Sequence, residues 1–500
     1  LTTTIIDEKY RPQFHFTPPA NWMNDPNGMV YFEGEYHLFY QHHPNGTTWG
    51  PMHWGHAISR DLVHWEHMPI ALKPDHNGFI FSGSVVVDWK DSSGFFGGGP
   101  GLVAIFTHAD QYPDSERPRQ RQSLAYSSDK GRSWTMYENN PVLVNEAHTD
   151  FRDPKVFWHE PKQHWVMVLA VGDRAQFYVS YDMKNWTFAS EFGMTEGSHE
   201  GVWECPDLIE LPIEGSNDTC KWVLIVSIGD HPDYPEGSRT QYFVGEFDGI
   251  TFTNENDAAS VLWLDHGRDN YAGVTWSDVQ RPDGAKLFIG WMSNWKYSNL
   301  TPTQEWRSAM TLPRELRVRR TPLGTRLVQQ PVPELQALRE QGQNLQWEGV
   351  TIRPGDNLLA GLQGDRYELV CEFEAGLAEE IGFLLRTSDT EKTVVGYRAA
   401  ERKLFVCRSD AGESEFHRQF ACKHDVQLEP LEGRFRLHIF VDHSSVEIFA
   451  NDGEVVITDQ IFPNPSSVGL ELYTRGGEAI IHRLDFHPLQ SIYAYASMPR

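Results

Sequence analysis

Three short stretches of this chain set a carboxylate among residues that bend or stiffen the backbone. Residues 21–28 read NWMNDPNG and place Asp25 among Asn21, Asn24, Pro26, Asn27 and Gly28. That density of turn formers holds a carboxylate on a tight bend, with amide side chains at hand to donate hydrogen bonds. FRDPK (151–155) sets Asp153 beside Arg152 and ahead of Pro154, which biases Asp153 toward an extended backbone. WECPDL (203–208) sets Glu204 between Trp203 and Cys205, and apolar, soft neighbours disfavour the ionised form, as a general acid requires. A lone Asp-Pro is usually an Asx turn or half of a buried salt bridge. Three such motifs, each opening a group of strands, point instead to carboxylates that converge, and two carboxyls flanking a scissile bond are the equipment of a glycosidase.

The elements that must position them read as strands. Runs at 36–40, 80–87, 102–107, 165–171, 222–227 and 286–291 are short and rich in Val, Ile, Phe, Tyr and Trp. Between them recurs a weak repeat, SRDLVHWE (59–66), SSDKGRSWTMY (127–137) and SYDMKNWTF (180–188), with EFDGITFT (246–253) as a worn copy. Each copy closes a group of three or four strands, as a propeller blade would, and RSAMTLPRELRVR (307–319) closes a further group, giving five blades. The bland alternative is a set of unrelated Asx turns. In a propeller the first strand of each blade lines the central channel, so carboxylates from different blades meet there. PVPELQALREQ (331–341) predicts a short helix started by Pro333. Beyond it, longer alternating strands predict a β-sandwich of about ten strands, with Asp452-Gly453 as a two-residue hairpin turn. The expected fold is all-β: a five-bladed propeller over 1–335, a linker with a short helix over 336–349, and a C-terminal β-sandwich over 350–500.

Composition excludes several classes. Lys and Arg total 43 against 69 Asp and Glu, a formal charge of −26, which repels phosphate backbones and anionic lipid; neither nucleic acid nor membrane is expected as a partner. Aromatics are 13% of the chain, which favours β structure and flat, stackable ligands such as sugar rings. Five cysteines without CxxC spacing signal neither a disulfide framework nor a zinc site. Seven histidines lie between His37 and His67, but the i, i+3 pair His53 and His56 points to opposite faces of a strand, so no metal is expected. Sequons stand at Asn45, Asn185, Asn217 and Asn299, and the sequence opens at Leu1 without a basic and apolar leader, so any signal peptide is expected to have been removed already or never to have existed.

NWMNDPNG, FRDPK and WECPDL, in that order, resemble the three motifs of glycoside hydrolase family 32, which includes invertases, levanases and inulinases. The likeness is greatest to bacterial secreted, exo-acting fructan β-fructosidases. It covers the whole chain, through QHHP (41–44), WG (49–50), FSGS (81–84), GWMSNW (290–295) and SSVEIFANDG (444–453). The resemblance implies Asp25 as nucleophile, Glu204 as acid/base and Asp153, supported by Arg152, as transition-state stabiliser. It implies a fructosyl pocket made by Asn24, Gln41, Trp49, Phe81, Ser82 and Trp291, no cofactor, and retaining hydrolysis of levan, inulin or sucrose outside the cell, by a monomer or weak homodimer. Cys205, just after the acid/base, is implied to tune it.

Some expectations rest on less. His42 and His43 are placed at the pocket mouth, Asp269 or Tyr271 at the substrate, and Glu447 on an outward strand face. The sandwich is read as structural, packing on the propeller. An endo-acting enzyme, a fructosyltransferase and a non-catalytic sugar-binding propeller are the alternatives.

Overall fold

In the computed structural model, which describes residues 8–216 and 219–493, strands supply nearly all the regular structure, and the helical segments are short 3-10 turns. The sequon at Asn217 lies outside the described residues. Five sheets occupy 21–331 and two more follow. The five begin with Asn21–Phe32, Phe79–Asp88, Phe151–His159, Trp203–Pro212 and Tyr271–Thr275. These first strands touch in sequence, and Tyr271–Thr275 returns to Asn21–Phe32, so they form a closed ring. Neighbouring sheets bury their faces against each other: Phe39, Trp54 and Val85 meet Phe106 between the first and second, and Phe177 and Leu224 meet Phe243 between the third and fourth.

The Ser-x-Asp repeat marks the same corner of four sheets. Ser59, Ser127 and Ser180 end a third strand, and the next aspartate folds the chain into the fourth. Asp61 accepts hydrogen bonds from the backbone of Val63 and His64, Asp182 from Lys184 and Asn185, and Asp248 from Ile250 and Thr251. The copies are therefore Asx turns and also a real repeat, since one hairpin is built four times. The stretch 307–319 does not close the last group as expected. Trp306–Arg307 crosses to the first sheet and lies parallel to Asn21–Phe32, while Arg314–Thr321 and Gly324–Pro331 finish the fifth.

The expected helix at 331–341 is a 3-10 turn over Pro333–Leu338, with proline at its start and Leu335 and Leu338 buried. The next strand, Leu345–Ile352, begins before residue 350. Counting it, eleven strands form two sheets of six and five among the described residues, one more than anticipated. Their facing sides enclose one core that includes Leu369, Phe383, Val395, Ile439 and Ile448. The Asp452-Gly453 turn is longer than two residues. Ala450 pairs with Val455, and Asn451, Asp452 and Gly453 all have positive φ (48°, 56° and 85°). Tertiary contact explains it: a Cβ on Gly453 would lie 1.8 Å from the carbonyl oxygen of Gln329, so the loop tip rests directly on the ring's last strand.

The outer face of the six-stranded sheet is covered by the ring. Phe440, Phe449 and Val456 share a core with Phe14, Leu312 and Leu335. Glu447, expected to face water, is fully buried there. It accepts from Arg314 (2.7 Å) and the Leu312 amide (2.9 Å), and lies 2.8 Å from His15. Strand alternation put Glu447 opposite Val446 and Ile448 correctly, but that opposite face meets protein. Below it, Arg408 reaches Asp269 at 2.6 Å and the Tyr297 hydroxyl at 2.9 Å, all buried.

Candidate active site

Each of the five first strands breaks register near its start, two residues facing one on the partner strand, and Asn21–Phe32 breaks a second time between Asn27 and Val30. The early breaks fall between Met23 and Pro26, Ile80 and Gly83, Arg152 and Lys155, Glu204 and Asp207, and Tyr271 and Val274. A bulge leaves its extra residue unpaired and re-aims the side chains beside it. Asn24, Asp25, Phe81, Ser82 and Asp153 lie within these bulges, and Arg152, Glu204 and Tyr271 flank them. Asp153, Cys205 and Ala272 have φ of 65°, 46° and 55°. The extended backbone expected of Asp153 before Pro154 is thus overridden; its amide leaves the ladder and donates to Thr107 Oγ1 at 3.1 Å. Such backbone costs roughly 1–3 kcal/mol per residue and persists only where the surroundings hold it.

Asp25 is buried and receives three donors. Asn24 donates to Oδ1 at 3.0 Å, Ser82 to Oδ2 at 2.6 Å, and the Cys205 thiol reaches Oδ2 at 3.4 Å. The Trp22 indole fixes the Asn24 amide by donating to its oxygen at 2.7 Å. Burial and the nearby Glu204 push the Asp25 carboxyl above its ordinary range, against these donors.

Asp153 accepts from the Cys205 amide at 3.0 Å, with the thiol at 3.6 Å, so Cys205 bridges two carboxylates. Burial, with Glu204 and Asp25 adding repulsion and Arg152 opposing them, lifts Asp153 to about 7. The Arg152 guanidinium stands between the acids, donating to Glu204 Oε1 at 3.1 Å and to Asp150 at 2.5 Å. Burial works against its charge, but Glu204, Asp153 and Asp150 outweigh burial and raise it. The other Glu204 oxygen accepts from the Tyr271 hydroxyl, whose ionisation burial and Glu204 suppress. The neighbourhood of Glu204 is therefore polar and hydrogen-bonded, not the apolar one expected from Trp203 and Cys205; Trp203 turns away and donates to the Ser198 carbonyl at 3.0 Å.

Asp25, Asp153 and Glu204 line one cavity of about 500 Å³, to which Asn24, Gln41, Trp49, Phe81, Ser82 and Arg152 also contribute. Trp49 is 44% exposed and meets Phe81 edge to face, forming an aromatic wall. Trp291 does not reach the cavity. It is fully buried, donates to the Met23 carbonyl at 3.1 Å and packs behind Trp295, which does line the site. His42 and His43 do not line it either: their Nδ1 atoms bond the Trp22 and Thr48 carbonyls. Asp269 is held at the sandwich, leaving Tyr271 alone of that pair in the site. Gln120, Asp150, Asp230 and Trp295 were not anticipated, although Trp295 ends the GWMSNW stretch and Asp150 stands two residues before Arg152. His56 pairs with His37 and His53 bonds the Pro51 carbonyl, and no group of three metal-ligating side chains occurs among the described residues.

Residues 15–331 match the Glycosyl hydrolases family 32 N-terminal domain, and residues 334–488 match the Glycosyl hydrolases family 32 C terminal domain. Levanase of Bacillus subtilis (strain 168) is 54% identical over 496 residues, 98% of this chain and 72% of that protein. Levanase of Bacillus sp. (strain L7) is 43% identical over 97% of this chain, which spans 53% of that longer relative. The crystal structure of exo-inulinase from Aspergillus awamori superposes with a TM-score of 0.89 at 37% identity, covering 97% of this chain and 99% of that one. Fold, site and these likenesses define an all-β glycoside hydrolase. The chain belongs to glycosyl hydrolase family 32.

Proposed function

We propose that this protein releases fructose from the non-reducing ends of β-fructans, and from sucrose, by a retaining mechanism. The observation that carries the reading is the convergence of Asp25, Asp153 and Glu204 from three different sheets around Cys205 and Arg152. Glu204 protonates the departing glycosidic oxygen while Asp25 attacks the anomeric carbon and forms a covalent fructosyl ester. Glu204, now ionised, takes a proton from water, which attacks the same carbon and frees Asp25. The donors from Asn24, Ser82 and Cys205 favour the carboxylate form that attack requires, against the cost of burial. Asp153 and Arg152 stand beside the reacting centre, where Asp153 accepts hydroxyls of the fructosyl ring and Arg152 steadies both acids. Two-step displacement needs the nucleophile and acid about 5–5.5 Å apart.

The five sheets fit the blades of a propeller spanning 1–335, with the sandwich over 350–500 and 336–349 joining them. A crossing beneath the site favours exo action. Lys155 Nζ donates to the Thr275 carbonyl at 2.5 Å and lies 3.5 Å from Asp207, so groups from three first strands meet across the channel and give the pocket a floor. The relatives named for levan and inulin support an extracellular enzyme acting on fructan; sucrose and fructo-oligosaccharide as further substrates, and a monomer or weak homodimer, belong to the proposal. Among the described residues no helix is long and apolar enough to cross a membrane.

A time course of soluble products from levan, with inulin and sucrose beside it, tests the reading. Fructose alone from the earliest points is expected. Early short oligosaccharides would mean an endo-acting enzyme, accumulating longer oligosaccharides at high sucrose a transferase, and no product from any of the three would overturn the reading.

A further inference from the structure

The channel has a second mouth. All five first strands run the same way round the ring; their early residues gather at the catalytic pocket, and later residues of four of them build a separate cavity of about 420 Å³ at the far end. The Lys155, Thr275 and Asp207 crossing lies between the two. This far cavity is lined by six aromatic rings carried by four sheets: Trp89, Phe157, Trp158, Trp165, Trp222 and Trp276. Trp89 is 57% exposed and is held at the rim by its indole, which donates to Asp278 at 2.8 Å. A large exposed ring pinned by a hydrogen bond presents a fixed flat face at little entropic cost.

The charges around these rings indicate what the cavity takes. Lys90, Lys155 and Lys286 stand against Asp88, Glu160, Glu210 and Asp278, so the two signs nearly balance and neither an anion nor a cation is favoured. Glu210 and Lys286 form no ion pair among the described residues, leaving one acceptor and one donor to offer to a ligand. Aromatic faces bordered by balanced donors and acceptors suit a neutral, polyhydroxylated ligand, and the volume falls within the range of ligand pockets, about 300–1,000 Å³.

We propose that this far mouth is a second, non-catalytic binding site for a segment of fructan chain. The proposal rests on the reading of the substrate as fructan. A polymer held at one end of the channel raises the local concentration of chain ends near the other, which lowers the apparent KM for polymer and does nothing for sucrose.

The test compares Trp89→Ala and Trp89→Phe with the parent enzyme on levan and on sucrose, and measures retardation by levan in affinity electrophoresis in a Glu204→Gln background. Expected are a rise in KM for levan of about fivefold or more in Trp89→Ala, weakened retardation, near-parent behaviour of Trp89→Phe, and unchanged kcat and KM on sucrose, which also show the fold intact. Unchanged levan KM and retardation in Trp89→Ala would overturn the proposal while leaving the catalytic reading untouched. Parent enzyme that fails to hydrolyse levan defeats the catalytic reading instead. Self-association of the parent that Trp89→Ala abolishes, without any change toward levan, would assign the face to a second copy of this chain and likewise overturn the proposal.

Discussion

In the ring, every first strand breaks register near its start, and the breaks carry or flank the groups of the pocket. In the sandwich, Phe435–Asp442, Ser445–Ala450 and Val455–Gln460 pair without a single shift, and apart from exposed Arg436 and half-buried His438 their residues are buried against the sandwich core or the ring. The regular ladder satisfies every backbone group and packs alternate side chains, so it can hold a buried charge such as Glu447 in a defined place. The bulged strands give up part of that satisfaction to aim side chains inward at angles a regular strand does not offer. Strain gathers where the chemistry is, and the supporting order lies elsewhere.

The largest expected effects separate activity from stability at the bulges. Glu204→Gln should cost roughly 10²–10⁴-fold in kcat, and Asp25→Asn at least as much, by initial rates on sucrose. Neither should lower the melting temperature. Asp153 ionises near 3.8 ordinarily and at about 7 in the fold. A carboxyl raised by folding favours the native state below its unfolded value, and that advantage is lost as pH rises through the folded one. Asp153→Asn should therefore melt higher than the parent, by a margin that opens from about pH 4 and is complete above about pH 7. An equal or lower melting temperature at pH 8 would deny that the site is strained.

The interface should behave in the opposite sense. Removing Arg314 leaves buried Glu447 with His15 as its one remaining cation, and removing Arg408 leaves Asp269 buried without its guanidinium; each alanine variant should lose about 3–5 kcal/mol in denaturant unfolding. Where folded, such variants should keep near-parent kcat. His15 and His424 are both raised to about 9, since their carboxylate partners outweigh burial. Their contribution is complete below about pH 6.5 and is lost as pH rises through about 9, which melting curves across that range should show.

The smallest effect concerns the residue that joins two carboxylates. Cys205→Val removes the thiol donor that favours ionised Asp25, so the acid limb of the kcat/KM profile should move to higher pH with little change at the plateau. An unmoved limb would limit Cys205 to packing.

Asp25, Asp153 and Glu204 were legible because turn formers cluster beside each carboxylate in a few consecutive positions. Their bulges were not, since a register break depends on two strands and the motif shows one. Trp291 was misplaced by one layer: GWMSNW holds two tryptophans, and which of them faces the pocket depends on the bend after Met292 rather than on spacing. Gln120 and Asp230 reach the cavity from positions with no local mark of their role, and Asp150 had only its place just before FRDPK to mark it. Glu447 was misread because alternation assigns a face without saying what covers it. The all-β class, the strand runs and the corner repeat were legible, because each rests on short-range pattern.

The strand that carries Asp25 has its outer neighbour in Trp306–Arg307, and just before it the Gln13 and Phe14 amides are held by Asp442, the first of them 429 residues away in sequence. Its first sheet therefore cannot be completed until most of the chain is available, and the contacts that finish it close loops of very high sequence separation. Such closures come late and slowly. During refolding, the outer sheets and the sandwich can acquire native structure while the pocket is still open on one side, so recovery of activity should lag recovery of β-sheet signal.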